Sequence, residues 1–533
     1  MVIEMEGCFP TVTVSQGQLK GEVRSDYKGG KYYCFLGIPY AKPPIGDLRF
    51  KAPVPAEPWS GVRDATKEGD MCYNRDQFLN QNVGSEDCLV LNIFVKKSCQ
   101  KPKPVMVWIH GGAFTSGTGN TLHCGPDFLM TQHIVLVTIN YRLGVLGFLC
   151  LEDVSLGVPG NAGLKDQALA LKWVRDNIAS FEGDANNITI FGESAGSASC
   201  HLHVLSPTGK GNFHKAILQS ASALDYWVWS RRDTAREVAK HLGYAKCGCK
   251  EREILELLTS APMEALYEAQ LKVIDSFVPS IQRPFGAVIE KPNETAFITR
   301  PVADIILSGD YNRVPIIFGY NTTEGILSEL MYPMKSEKER LEVKTDIPFQ
   351  VKVEGEKAET LCKKMYNLYF GNGYSIEKEL EMHTDSIFLA GIMGALVNHV
   401  KTNQHPIFLY RLSYVGGLNF LKNFSGLHNI PGVFHADDLG YIFKTAITPP
   451  IDPGGPDEVT VQRIVRMWTN FAKCDRPLPD PNEFGVAWLP VKEGNTNFLD
   501  IGSQLVAGVD PDSERMALWK EIFQSCPETK NFM

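Results

Sequence analysis

Residues 188–199 read ITIFGESAGSAS: a short apolar run, then Gly-Glu-Ser-Ala-Gly, then small residues compatible with a helix. A strand that turns sharply into a helix would expose Ser194 at the turn, with Gly192 and Gly196 letting the backbone pass without side-chain clashes. That is one way to build a nucleophile. The pentapeptide alone carries little weight, because a chain with 47 glycines produces GxSxG patterns by chance. Its surroundings have to supply the rest of a site.

Working outward, VMVWI (105–109) and IVLVTIN (134–140) join ITIF (188–191) as fully buried strands. Between them, Leu164, Ala168, Leu171, Val174, Ile178 and Phe181 recur at three- and four-residue steps, which makes one face of a helix apolar. Buried strands separated by helices imply an α/β chain with a mostly parallel central sheet covered on both faces. In such sheets active sites gather at the carboxyl ends of the strands. The clearest punctuation, TPPIDPGGPDE (448–458), reads as a surface loop ahead of an amphipathic helix, Val459 to Lys473. No repeat, low-complexity tract or long polar linker divides the chain, so one domain, 1–533, is expected.

Composition excludes several classes of partner. A formal net charge of -8 disfavours a nucleic-acid partner, which needs a concentrated basic face. The apolar runs Val105 to Ile109 and Ile134 to Ile139 are strand-sized, far short of the ~20 residues that cross a bilayer, so no membrane span is expected. The opening MVIEMEGCFPTVTV has no apolar core of signal-peptide length. Thirteen cysteines leave at least one unpaired and form no zinc-type CxxC pairs, while Cys247 and Cys249 are too close for a relaxed bridge. A cytoplasmic setting is expected. The sequons at Asn187, Asn293, Asn321 and Asn423 read as chance triplets.

A serine hydroxyl is a poor nucleophile until a base removes its proton, so Ser194 needs an imidazole and an acid to orient it. The reaction also builds charge on the substrate oxygen, which calls for waiting N–H donors. IHGGAFTSG (109–117) directly follows VMVWI, and its glycines let backbone amides face a ligand. Gly112, Ala113 and the N–H of Ala195 would form a three-donor oxyanion hole. Glu324 follows VPIIF (314–318) with five residues between, again at a strand's carboxyl end, and is the candidate acid. Five histidines come after it. His383 and His399 lie in helix-like sequence and His405 precedes a proline, which leaves His428 and His435 as loop candidates for the base. The order Ser, acid, His is that of α/β-hydrolases.

The chain resembles the type-B carboxylesterase family, which includes cholinesterases and insect carboxylesterases. The resemblance runs through FLGIPYAKPPIGDLRFKAP (35–53), SEDCLVLNIFV (85–95), VMVWIHGGAF (105–114), NYRLGVLGFL (140–149), VPGNAGLKDQALALKWVRDNIASF (158–181), ITIFGESAGSAS and MWTNFAKC (467–474). It implies an α/β-hydrolase fold, with helices and loops inserted above the sheet to form a gorge. By resemblance Ser194 is the nucleophile, Glu324 the triad acid and His435 the base, because the family's base lies in a GxxHAD/E segment like GVFHADD. Gly112, Ala113 and Ala195 map to the oxyanion donors, Arg49 and Glu86 to a structural ion pair, and Cys72 and Cys88 to the family's first disulfide. Trp227 matches an acyl-pocket position of insect carboxylesterases.

Departures from the pattern are informative. Ala113 replaces the third glycine of the family's GGG, adding a methyl beside the reacting carbonyl. Residues 73–87 hold no tryptophan, which argues against a cation–π site for choline. Juvenile hormone esterases are similar too but carry Gln where this chain has Glu193. The expected activity is hydrolysis of uncharged, small-molecule esters, with no metal or organic cofactor. Two alternatives share the same residues: an esterase that acylates quickly and releases slowly, and a non-catalytic binding protein on the same fold.

Overall fold

The computed structural model describes residues 3–6, 9–76, 79–99, 102–244, 250–274, 281–331 and 336–533. Cys247 and Cys249 lie outside the described residues. The centre is an eleven-stranded sheet. In chain order its strands are β1 (Glu22–Ser25), β2 (Lys31–Pro39), β3 (Val90–Lys96), β4 (Lys103–Ile109), β5 (Val135–Ile139), β6 (Gly183–Glu193), β7 (Lys215–Gln219), β8 (Ile316–Asn321), β9 (Ile407–Leu412), β10 (Asn497–Ile501) and β11 (Leu505–Val509). Across the sheet they run β11-β10-β9-β8-β7-β6-β4-β5-β3-β2-β1. The stretch from β5 through β10 is parallel, and the outer strands at both ends pair antiparallel.

Alternate residues of the central strands enter two separate cores. Val105, Val107 and Ile109 of β4 pack on one face with Ile188 and Ile190 of β6. Met106 and Trp108 pack on the other with Phe191 and Ile217. Strands buried on both faces read as unbroken apolar runs, which is why VMVWI and ITIF show no alternation. Helices supply the covers: Ala162–Asn177 and Ala195–Leu205 on the first face, Pro456–Cys474 on the second. The last is the helix expected from Val459, extended one turn because Pro456 suits a first helical position.

One segment qualifies the expectation about membrane spans. Ile376–Thr402 is long and apolar enough to cross a bilayer by length and composition, yet 89% of its most apolar window is buried inside the protein. Met382 and the apolar residues from Ile387 to Leu396 belong to the core on the first face of the sheet, whereas Leu380 packs in a smaller cluster with Ile326 and Phe434.

Two buried ion pairs fix the loops beside the sheet. Arg49 holds Glu86 in a two-pronged contact, with Nε to Oε2 at 2.7 Å, while its Nη1 donates to the carbonyls of Leu258, Thr259 and Ala261. Arg142 donates to both oxygens of Asp166, at 2.8 and 2.6 Å. Cys72 and Cys88 form a disulfide across 16 residues of chain.

Candidate active site

Strand β6 ends at Glu193 and a helix begins at Ala195, so Ser194 alone makes the turn, at φ 57° and ψ -124°. A non-glycine residue held at positive φ is strained, and such strain clusters at functional sites. The surroundings leave no alternative residue types. A Cβ on Gly192 would lie 2.5 Å from the backbone of Gly196, and one on Gly196 would press into the carbonyl of Ile109.

The loop after β4 comes in beside this turn. A Cβ on Gly111 would lie 2.6 Å from the Glu193 carbonyl and 3.2 Å from Ser194 Cβ. Gly112, Ala113 and Phe114 all have positive φ, at 104°, 53° and 62°. The loop closes on itself, with the Thr115 and Ser116 amides donating to Gly112 O at 3.0 Å. The Gly112 and Ala113 amides donate to no group among the described residues. Ala195 is the first residue of its helix, where an amide has no intrahelical partner.

Glu324 sits three residues beyond β8 and is fully buried. Its Oε1 accepts the Asn321 amide at 2.6 Å and its Oε2 lies 2.6 Å from His435 Nδ1. Thr323 donates its amide to Val433 O at 2.8 Å and pairs with Phe434, stitching the acid's loop to the histidine's loop. His428, the rival loop histidine, is exposed to solvent. The structure thus brings Glu324 together with His435 and leaves His428 outside. Among the described residues Ser194 Oγ makes no hydrogen bond, and His435 Nε2 faces Glu193 Oε1 at 3.1 Å. Catalytic hydrogen bonds commonly tighten only once substrate is bound.

Three carboxyl groups crowd the imidazole. Burial raises Glu193 to about 8, opposed by His435. Burial would lower His435, but Glu193 and Glu324 outweigh it and hold the ring up at about 9. The two groups face each other across 3.1 Å, so a charge on one favours the opposite charge on the other. The upward direction for His435 has two causes, the Glu193 carboxyl facing Nε2 at 3.1 Å and the Glu324 carboxyl held by Nδ1 at 2.6 Å. Behind them Asp438, raised to about 6 by burial and by Glu324, accepts from Gln219 Nε2 at 2.5 Å. Gln219 in turn accepts from Trp468 Nε1 at 3.1 Å. This second layer went unnoticed in sequence, although Asp438 lies in the same HADD run as His435.

Trp227 is buried and donates Nε1 to the carbonyl of Ile387 at 3.0 Å. Its ring meets Phe388 at 5.9 Å, and Phe388 stacks on His435 at 4.6 Å with 28° between the planes. Phe388 was not expected from sequence. A cavity of ≈ 440 Å³ is lined by Thr115 and Ser116 of the β4 loop, Leu327 three residues past Glu324, and Tyr267, Phe420 and Phe424, among others, but by none of Ser194, His435, Trp227 or Phe388.

Residues 9–519 match the model of the carboxylesterase family. The juvenile hormone esterase of Tribolium castaneum is 36% identical, covering 89% of this chain and 85% of that protein. Esterase B1 of Culex pipiens is 33% identical, covering 96% of this chain and 98% of its own. A crystal structure of juvenile hormone esterase from Manduca sexta, with OTFP covalently attached, superposes with a TM-score of 0.85 at 29% identity and covers 97% of this chain and 99% of that one. A PNB esterase superposes at 0.75 with 28% identity, covering 96% of this chain and 99% of its own. The fold is that of these α/β-hydrolases, the chain is a carboxylic ester hydrolase, and it belongs to the carboxylesterase family.

Proposed function

We propose that this ester hydrolase works through an acyl-enzyme on Ser194. The observation that carries the reading is the strained Ser194 turn at the end of β6, beside two loops that present a hydrogen-bonded Glu324–His435 pair and a run of undonated amides. His435 takes the Ser194 proton as Oγ attacks the ester carbonyl, and Glu324 steadies the imidazolium. The amides of Gly112, Ala113 and Ala195 hold the oxyanion. His435 then protonates the departing alcohol. Water, deprotonated by the same ring, attacks the acyl group, and the acid leaves with Ser194 restored. Trp227 walls the acyl side and limits its size.

The substrates are read as uncharged, lipophilic or xenobiotic esters, and the chain as one domain of residues 1–533. Kinship with the esterase of Tribolium castaneum favours juvenile hormone as a second substrate reading. Glu193 at the elbow weighs against it. On location, the odd cysteine count supports the cytoplasm, whereas the Cys72–Cys88 bridge supports an oxidising compartment. Thiol labelling of the native protein from its source decides between them.

The test is time-resolved hydrolysis of p-nitrophenyl acetate and butyrate by the protein and by Ser194→Ala, with active sites titrated. Steady turnover lost in the variant supports the reading. A burst of one equivalent followed by silence replaces turnover with sequestration, and no serine-dependent release overturns the mechanism.

A further inference from the structure

The helix Ile376–Thr384 passes into a π turn, Asp385–Leu389, and then into the helix Ala390–Thr402 without a break. A π turn is rare and recurs at functional sites, because its wider loop re-aims side chains and leaves carbonyls for other donors. Both effects are visible here. Ile387 O accepts Trp227 Nε1 at 3.0 Å, and the next residue, Phe388, lays its ring on His435 at 4.6 Å and against Trp227 at 5.9 Å. Two successive residues of one turn therefore hold the wall of the acyl side and the imidazole.

The turn is tied down at its first residue. Asp385 is fully buried, and its Oδ2 accepts from Tyr369 Oη at 2.6 Å and lies 3.0 Å from Arg515 Nε. Tyr369, on the helix Gly355–Phe370, accepts from Trp519 Nε1 at 2.9 Å. Arg515 and Trp519 both belong to the helix Ser513–Gln524. Arg515 also contacts Glu381 and, at 2.9 Å, Asp512. With Asp385 fully buried and Arg515 half-buried, such a charge pair adds little stability over a well-packed apolar pair, so a geometric role is the one to test.

We propose that the Asp385–Arg515 pair is a positioning device for acyl selection: it pins the π turn so that Ile387 and Phe388 hold Trp227 and His435 in fixed relation. This rests on the acyl-enzyme reading above. Neither Asp385 nor Arg515 touches the reacting atoms, so their substitution acts only through the turn.

The experiment compares kcat/KM for p-nitrophenyl acetate and butyrate, per titrated active site, in the parent protein, Asp385→Asn, Phe388→Leu and Glu381→Gln. Loosening the wall admits the longer chain, so the butyrate-to-acetate ratio rises roughly tenfold in Asp385→Asn and Phe388→Leu, the scale of a small change in an apolar pocket. The pH limb of kcat/KM moves with it. Glu381→Gln, which removes an Arg515 side-chain partner one helical turn before Asp385 and leaves the Glu381 carbonyl on the Asp385 amide, keeps the parent ratio. An Asp385→Asn protein that melts lower but keeps the parent ratio and pH limb overturns the proposal and leaves the pair a structural tie. If Asp385→Asn does not fold, Tyr369→Phe removes one hydrogen bond to Asp385 more gently, and a rise or an unchanged ratio there decides the same way. A parent protein without Ser194-dependent release sinks this proposal together with the mechanism, whereas an unmoved ratio in a Ser194-dependent enzyme sinks the positioning alone.

Discussion

His435 Nε2 lies 3.1 Å from Glu193 Oε1 while Nδ1 of the same ring lies 2.6 Å from Glu324 Oε2, so a carboxyl group stands at each nitrogen. A general base works only while it is neutral. Burial favours the neutral ring, but the two carboxyl groups override it and raise His435 to about 9, well above the ordinary histidine value. kcat/KM is therefore expected to rise with pH along a limb displaced above the usual histidine range. Glu193→Gln keeps the shape and removes the charge, so that limb moves to lower pH by roughly one unit or more, the size of a nearby-charge effect. The measurement is kcat/KM for p-nitrophenyl acetate against pH for both proteins. Coincident limbs would mean that Glu193 contributes no charge to the base.

The amide of Gly112 makes a second prediction. Gly112 has φ 104°, and a Cβ there would run into Ser116. Gly112→Ala must displace its own N–H, and losing one oxyanion donor costs about 10²–10³ in kcat, ~2.7–4 kcal/mol. KM is expected to change much less. Ala113→Gly asks the opposite question. Ala113 sits at φ 53°, a strain that glycine relieves, but glycine also gains freedom in the unfolded chain, so the two terms largely cancel. Its melting temperature should stay near the parent's while kcat/KM for bulky esters rises roughly tenfold relative to acetate. An unchanged ester preference would show that the added methyl does not face the reacting carbonyl.

The parts of the site that follow strands directly were readable, because strand ends in a parallel sheet are fixed by the strands themselves. Ser194 after β6, Glu324 after β8 and the Gly111–Ala113 run after β4 all belong to this class. His435 does not. It lies more than twenty residues past β9, and nothing in its spacing separates it from His428; the likeness of GVFHADD to the family's segment singles it out, and in the structure it is the histidine buried against Glu324. Phe388 was harder still. The sequence around His383 and His399 reads only as helix-like, and the π turn between them that sets Phe388 against His435 is not anticipated by it. Strand limits erred for a simpler reason: β6 begins at Gly183, not at Ile188, because Gly183 already pairs with Lys103 and the polar stretch DANN bulges out before the ladder resumes at Ile188.

The Cys72–Cys88 bridge closes a 16-residue separation that includes Glu86, the partner of Arg49. In the loop-entropy account a bridge of this length stabilises by about 3 kcal/mol. Replacing both cysteines with serine is expected to lower stability by about that amount in urea titrations. Reductant added to the parent should reproduce the shift. If reductant changes nothing, the native protein carries these two residues as thiols.

Arg142 and Asp166 form a pair with almost no solvent contact, and Arg142 also donates Nη2 to Lys51 O at 2.7 Å. Its Nη1 is buried with no hydrogen-bond partner among the described residues, so the guanidinium is incompletely satisfied by them. Removing one member of such a pair strands a buried charge, whereas removing both removes the desolvation penalty along with the attraction. Asp166→Asn is therefore expected to destabilise by about 3–5 kcal/mol. The double substitution Arg142→Met with Asp166→Leu should cost less than Asp166→Asn alone, although it gives up the Lys51 contact. Urea unfolding of the three proteins measures the ordering. A double variant less stable than the single one would mean that the pair holds the Arg142 and Asp166 segments together by more than its charges.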